Sequence, residues 1–283
     1  MRIRWYPAHM ATARKEAVTA MRKTDLVMEV LDARAPHASC NPVVETLRKQ
    51  NRRPVLKLLN MTDLADPERT PEWLAHYNAL PEATALAVSA KAPGDVARIL
   101  KAAREMVPER GTPARLLRMM ILGVPNVGKS TLMNALLKRR LAAVGDQPTV
   151  TKVHMGHALG SDMWLTDTPG LLWPGLEPQK ALTLAALHSI GTNAYDDQEV
   201  AVELGHYLLR HYPGLVAKRF GEMAPGSDGH HLLASVARTR CLVMKPGVPD
   251  LNKAAVVLLN DFRSGALGRI TLESPDDVRA GAA

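Results

Sequence analysis

Gly123-Val-Pro-Asn-Val-Gly-Lys-Ser130 follows the pattern G-x-x-x-x-G-K-S of a phosphate-binding loop. Residues 116–122 before it form an apolar run that reads as a strand, and residues 129–137 after it read as a helix. That strand–loop–helix setting is what the pattern needs to act. The backbone of Pro125, Asn126, Val127, Gly128, Lys129, Ser130 and Thr131, whose N–H donors begin at Asn126 because proline has none, then forms an anion cradle with the helix N-terminus behind it. Lys129 is expected to reach the β- and γ-phosphates of a nucleotide, and the Ser130 hydroxyl to ligate Mg2+.

Working outward, Asp167-Thr-Pro-Gly170 ends a second apolar run, residues 163–166. An Asp there holds the magnesium, through water, while the Gly170 N–H points to the γ-phosphate. Between the two segments, Gly145-Asp-Gln-Pro-Thr-Val-Thr151 offers a threonine to the metal, Thr151 as first choice and Thr149 as second. Guanine selection needs a carboxylate for the ring N1–H and the exocyclic amine, with an amide near N7 and O6. Asp63 and Asn60 supply those groups at the right spacing, Met61 covers the base, and Ser89-Ala90-Lys91 supports O6 through the Ala90 N–H. These guanine readers precede the phosphate loop, whereas in an ordinary GTPase they follow it. The rotated order points to a circularly permuted GTPase.

Composition agrees with an α/β enzyme. The chain has 283 residues, 46% of them apolar, enough for two domains with buried cores. Ala, Leu and Met dominate over aromatics, which suits helices around a parallel sheet better than an antiparallel sandwich. Cys40 and Cys241 are too few for a disulfide framework or a zinc site, so a reducing, cytoplasmic setting is expected, without disulfide partners. No apolar run reaches the length of a membrane span, and residues 1–7 lack the apolar stretch of a secretory signal. A net charge of +8 favours a polyanionic partner, nucleic acid ahead of membrane. The positive residues group at Arg14–Lys23, Arg98–Arg118, Lys138–Arg140 and Lys218–Lys253, where solvated helix faces are the plainer reading.

Residues 25–31, 54–59 and 83–88 read as further buried strands, and Asn41-Pro42 as a helix opening with Asn as cap. Strands alternate with helices, and each chemical segment stands at a strand's carboxyl end, which predicts a doubly wound, mainly parallel sheet. Val107-Pro-Glu-Arg-Gly-Thr-Pro113 reads as the linker joining what are usually the two ends of such a domain. Beyond Pro178 the pattern turns helical, with no convincing strand. The expected architecture is a permuted P-loop GTPase domain over residues 1–176 and a smaller all-α domain over residues 177–283.

With these motifs in place, the chain resembles the circularly permuted GTPases of the YlqF/RbgA ribosome-biogenesis family. The likeness spans nearly the whole sequence and includes Trp5-Tyr-Pro-Ala-His-Met10, Asp32-Ala-Arg34, Asn41-Pro42, the permuted nucleotide motifs and Leu171-Leu-Trp-Pro174. It implies GTP and Mg2+ as ligands, the precursor of the large ribosomal subunit and its ribosomal RNA as partners, and a helical domain that contacts that RNA. Two positions depart from the family pattern: Met61 stands where lysine is usual, and Thr149 where glycine is common. Leu171 follows Gly170, where many GTPases carry a water-orienting glutamine. The resemblance implies that His9 takes that role on the ribosome, and that a potassium ion held partly by Asn126 adds positive charge.

Two other functions stay open on the residues alone. One is a nucleotide-gated RNA-binding module with negligible hydrolysis, which Leu171 and Met61 favour; the other is a GTPase acting on a different RNA. His154-x-x-His157 and His230-His231 lack companion ligands at metal spacing, and neither cysteine is assigned as a nucleophile.

Overall fold

Five apolar segments form parallel strands: β1 (Leu26–Asp32), β2 (Val55–Asn60), β3 (Ala83–Ala87), β4 (Leu117–Leu122) and β6 (Met163–Asp167). The intervening β5 (Gly156–Leu159) runs antiparallel on β6, giving the order β3-β2-β1-β4-β6-β5. These strands belong to a computed structural model that describes residues 8–137, 156–245 and 247–280, with the side chains of residues 8–14, 93, 279 and 280 outside the description. Every residue of β1 and β2 is buried, as expected for central parallel strands covered on both faces. The helices of this part are α1 (Ala8–Met21), α2 (Pro36–Ser39), α3 (Pro42–Gln50), α4 (Arg69–Asn78), α5 (Pro93–Met106) and α6 (Lys129–Leu137).

Side chains at 27, 29 and 31 share one face of β1, as do those at 55, 57 and 59 on β2, because strand side chains alternate. Ala17, Met21, Val44 and Leu47 from α1 and α3 pack on Val27 and Val55. Further along, Trp73 and Tyr77 from α4 pack on Leu31 and Leu59. Between these two apolar clusters lies a charged pair, Glu29 and Lys57, opposite each other in register. The Lys57 Nζ is 2.5 Å from Glu29 Oε2, and both side chains are 1% exposed. Such a pair costs desolvation and holds only if its remaining donors and acceptors are matched. Here they are: Asn41 N donates to Glu29 Oε1 at 2.9 Å, and Lys57 sits 3.3 Å from Cys40 Sγ and 4.9 Å from the Tyr77 ring centre. Burial opposes the Lys57 charge, but Glu29 outweighs it and raises the pKa above the ordinary lysine value. Burial, with Glu29 alongside, pushes the Cys40 thiol up to about 12 against the pull of Lys57, so Cys40 is no nucleophile.

The chain divides into two compact units, one running to Gly175 and a second over Leu176–Leu272. In the second, α8 (Asp197–His211) packs with α10 (Gly229–Thr239), α11 (Leu251–Ser264) and α7 (Pro178–Ala186), and α9 (Pro213–Phe220) packs with α8 and α10. Leu204, Leu208, Phe220, Leu232, Leu258 and Phe262 are among its buried residues. Three features were not foreseen. The edge strand β5 is too short for alternation to reveal it, α9 opens on Pro213, and β7 (Val243–Lys245) pairs with β8 (Val248–Pro249) in a small exposed hairpin. The tail also corrects the boundary drawn at 177–283. Glu273 accepts from His37 N at 2.8 Å and Ala38 N at 3.0 Å, Trp73 Nε1 donates to its carbonyl, and α12 (Pro275–Ala280) contacts α4. These last residues therefore belong to the unit that carries the sheet.

Several of the positive residues are locally matched. Arg219 and Arg240 share Asp261, Arg104 pairs with Asp162, Arg110 with Asp25 and Lys253 with Asp250. No described helix is long and apolar enough to cross a membrane.

Candidate nucleotide site at the carboxyl edge of the sheet

Parallel strands deliver their carboxyl ends to one edge, so segments far apart in sequence meet there. The register pairs Asp32 with Asn60, Glu29 with Leu122 and Ile121 with Asp167. Leu122 leads directly into the phosphate loop. Asn126 in that loop adopts φ 61°, and Gly128 φ 86°, turns that aim the following backbone N–H groups inward. A Cβ on Gly128 would collide with the Asn60 side chain, so the loop lies directly on the Asn60–Met61 segment. Asn60 Nδ2 donates to Val127 O at 2.8 Å, and Asn60 Oδ1 accepts from Ala90 N at 3.2 Å. The amide therefore ties both base-side segments to the phosphate loop. From spacing alone, the Asn60 amide and the Ala90 N–H are expected to meet the guanine ring. Here they engage each other, although the amide keeps a second hydrogen and a second lone pair.

Lys129, at the start of α6, is buried and donates to Val124 O at 2.9 Å. Burial pushes its pKa down to about 8, with Asp167 acting in the opposite direction. An anion arriving at the loop would raise that pKa again. Ser130 and Thr131 stand in the same first turn, half-buried. Asp167 is 8% exposed, and the residues after it are fixed to β4 and the loop. Thr168 Oγ1 donates to Ile121 O at 2.7 Å and Leu171 N to Gly123 O at 3.1 Å. Gly170 abuts the loop so closely that a Cβ would stand 3.1 Å from Pro125 Cα, which explains glycine at this position. The Leu171 side chain is 1% exposed, packed in the α1/α3 cluster.

On the base side, Asp63 accepts from Ser89 Oγ at 3.0 Å and pairs with Lys91 Nζ at 2.9 Å. Burial works to raise its pKa, but Lys91 and Ser89 outweigh it and hold the carboxyl below its usual range. It stays an ionised acceptor. Met61 takes a left-handed backbone, φ 62°, with its sulfur 3.4 Å from Arg34 Nη2. Arg34 in turn grips Asp32 through Nε at 3.0 Å and Nη2 at 2.8 Å, a buried bidentate pair beneath the base-side segment. Asp32 and Arg34 stand in sequence only as part of a family likeness; their mutual contact needs the fold.

Some expected residues are not brought into view. Thr149 and Thr151 lie outside the described residues. His9 falls in the first turn of α1, with its side chain also outside the description. His231 is engaged in a capping box at the start of α10: its backbone N–H donates to the cap Asp228 Oδ1 at 3.0 Å, and its Nδ1 accepts from Asp228 N at 3.3 Å. Among the described residues no group of three or more His, Cys, Asp or Glu could cage a metal. One hydroxyl and one carboxylate, Ser130 and Asp167, instead suit Mg2+, which keeps waters and takes phosphate oxygens.

None of this geometry depends on which loop the chain visits first: the fold and site are those of a P-loop GTPase whose strand order has been circularly permuted. The family pattern described as "50S ribosome-binding GTPase" matches residues 118–203, and Ribosome biogenesis GTPase A of Bacillus cereus is 34% identical over 285 residues, covering 98% of this chain and 95% of that protein. The chain belongs to the ribosome biogenesis GTPase A family. The counterpart from Bacillus pumilus is also 34% identical, covering 98% of this chain and all of that one. A GDP-bound structure of YlqF from Thermotoga maritima superposes with a TM-score of 0.67 at 25% identity, covering 93% of this chain and 100% of that chain.

Proposed function

We propose that this GTPase is a factor for late assembly of the large ribosomal subunit, binding the precursor in the GTP state and leaving it after hydrolysis. The observation that carries the nucleotide half of this reading is Asn60, whose one side chain joins the phosphate loop at Val127 to the base-side loop at Ala90. In this reading the loop N–H groups from Asn126 to Thr131 and the Lys129 ammonium neutralise the phosphates, Pro125 shapes the loop, and Gly170 N–H meets the γ-phosphate. Asp63 accepts from the guanine N–H groups, Met61 covers the ring, and Ser89, Ala90 and Lys91 shape its edge. Bound at Ser130 and Asp167, with Thr151 or Thr149 as a further ligand, Mg2+ supplies Lewis-acid charge neutralisation.

The ribosomal half rests on the names of the relatives, on the net charge of +8 and on the helical unit, whose Lys218 and Lys245 make no ion pair among the described residues. We assign that unit to ribosomal RNA and the protein to the cytoplasm, in keeping with its bacterial relatives. The test is co-sedimentation with large-subunit precursors. The protein is expected to travel with them in a non-hydrolysable GTP analogue and to dissociate with GDP. Equal retention in both nucleotides would overturn the reading and favour an RNA-binding module that ignores its nucleotide.

Leu171 is buried in the core and cannot orient water, so intrinsic turnover is slow and rises on the ribosomal particle. We assign the stimulated step to His9, with a potassium ion at Asn126 adding charge. His9→Ala is then expected to leave intrinsic turnover and GTP affinity unchanged and to lower stimulated turnover about 10²-fold. Measuring both rates in one preparation decides it. Stimulated turnover that survives the substitution moves His9 to docking and leaves potassium as the source of the rate.

A further inference from the structure

Asn41 is completely buried, and its side chain does two things at once. Its Oδ1 accepts from Val43 N at 2.9 Å, capping α3. Its Nδ2 donates to Leu171 O at 2.8 Å, across 130 residues of sequence. Capping alone does not call for asparagine, since Asp and Ser cap about as well. The amide donor is what those residues lack. Leu171 directly follows Gly170, and its own N–H is bonded to Gly123 O at the mouth of the phosphate loop. The peptide units flanking Leu171 are thus held at two points, by the loop on one side and by Asn41 on the other.

Asn41 is itself held from below. Its backbone N–H donates to Glu29 Oε1, and Glu29 is clamped by Lys57 at the centre of the sheet. A continuous run therefore links the β1–β2 ion pair, through Asn41, to the backbone beside Gly170. Every member lies in the unit that carries the sheet. The Leu171 side chain adds an apolar anchor in the α1/α3 cluster, so the segment cannot slide freely.

We propose that Asn41 is a positioning residue that fixes the Gly170–Leu171 backbone for contact with the γ-phosphate, and so sets how well the protein tells GTP from GDP. This rests on the reading of Gly170 as the γ-phosphate contact. Removing the Nδ2 donor leaves Leu171 O unmatched and frees the Leu171–Leu172 peptide, one of the two points that hold the backbone after Gly170. GDP, which lacks the γ-phosphate, does not use that segment. The discrimination should change while GDP binding does not.

The test uses the full chain, with Asn41→Ser as the main variant because serine keeps a capping oxygen and cannot reach Leu171 O. Asn41→Asp is the second; it also keeps the cap but sets a carboxylate against that carbonyl. Dissociation constants are measured for GDP and for guanylyl imidodiphosphate, with thermal unfolding to confirm that each variant is folded. Affinity for the triphosphate analogue is expected to fall about tenfold, the scale of losing one buried hydrogen bond, with GDP affinity within about twofold of wild type. A parallel loss for both ligands, or no change in their ratio, would make Asn41 a helix cap only and overturn the proposal. If Asn41→Asp does not fold, Asn41→Ser alone decides. Wild-type protein that bound neither guanine nucleotide would overturn the site reading and this proposal together, whereas wild-type binding with an unchanged ratio in Asn41→Ser overturns this proposal alone.

Discussion

Replacing Lys129 with alanine is expected to lower GTP turnover by about 10²- to 10³-fold, the scale of losing one preorganised charge-stabilising donor. The side chain is buried, so its charge acts in a medium that screens poorly, and among the described residues its hydrogen-bond partner is the carbonyl of Val124. That carbonyl holds the ammonium in the loop without satisfying its three donors. Phosphate oxygens would do so, which is why the loss should appear in both binding and turnover. Single-turnover phosphate release at saturating protein, beside a thermal melt of the variant, provides the measurement. Turnover within a few-fold of wild type would show that Lys129 is not the phosphate cation.

The second large effect belongs to Asp63. As an ionised carboxylate held below the usual range by Lys91 and Ser89, it offers two acceptors to the guanine N1–H and exocyclic amine. Asp63→Asn turns one acceptor into a donor facing another donor. Mispairing of this kind costs about 1–3 kcal/mol, or at least a tenfold loss of GTP affinity. The same change should improve binding of xanthosine triphosphate, whose carbonyl at C2 accepts where guanine donates. Competition of GTP, xanthosine triphosphate and ATP against labelled GDP reads all three. Undiminished GTP affinity in Asp63→Asn would remove Asp63 from base recognition. Wild-type protein that binds ATP as well as GTP would remove Asn60 with it.

The helical unit shows where local pattern stops short. Its long helices declare themselves by apolar spacing, yet α9, only 8 residues long, and the Val243–Pro249 hairpin carry too few residues for a period to emerge. The tail at Glu273 is polar and follows the helical domain in sequence. Its anchoring to His37 and Ala38 is a contact over more than 230 residues, beyond any local signal. The fold also thins the charge clusters. Arg219 and Arg240 look like a basic patch in sequence, but the fold brings Asp261 between them.

The sequence by itself determined the class of fold, the permuted motif order and the chemistry of the phosphate loop. Those depend on residue types at short spacing: glycines that permit a tight loop, a lysine beside it, and apolar runs of strand length. Only the tertiary structure decided how the separate segments support one another. Asn60 reads as a base contact in sequence and proves to tie two loops together, Glu29 and Lys57 look out of place in apolar strands until they pair, and Asn41 looks like a cap until Leu171 arrives beside it. Local spacing encodes backbone conformation, whereas partners across a sheet are fixed by strand order and register, which no single segment contains.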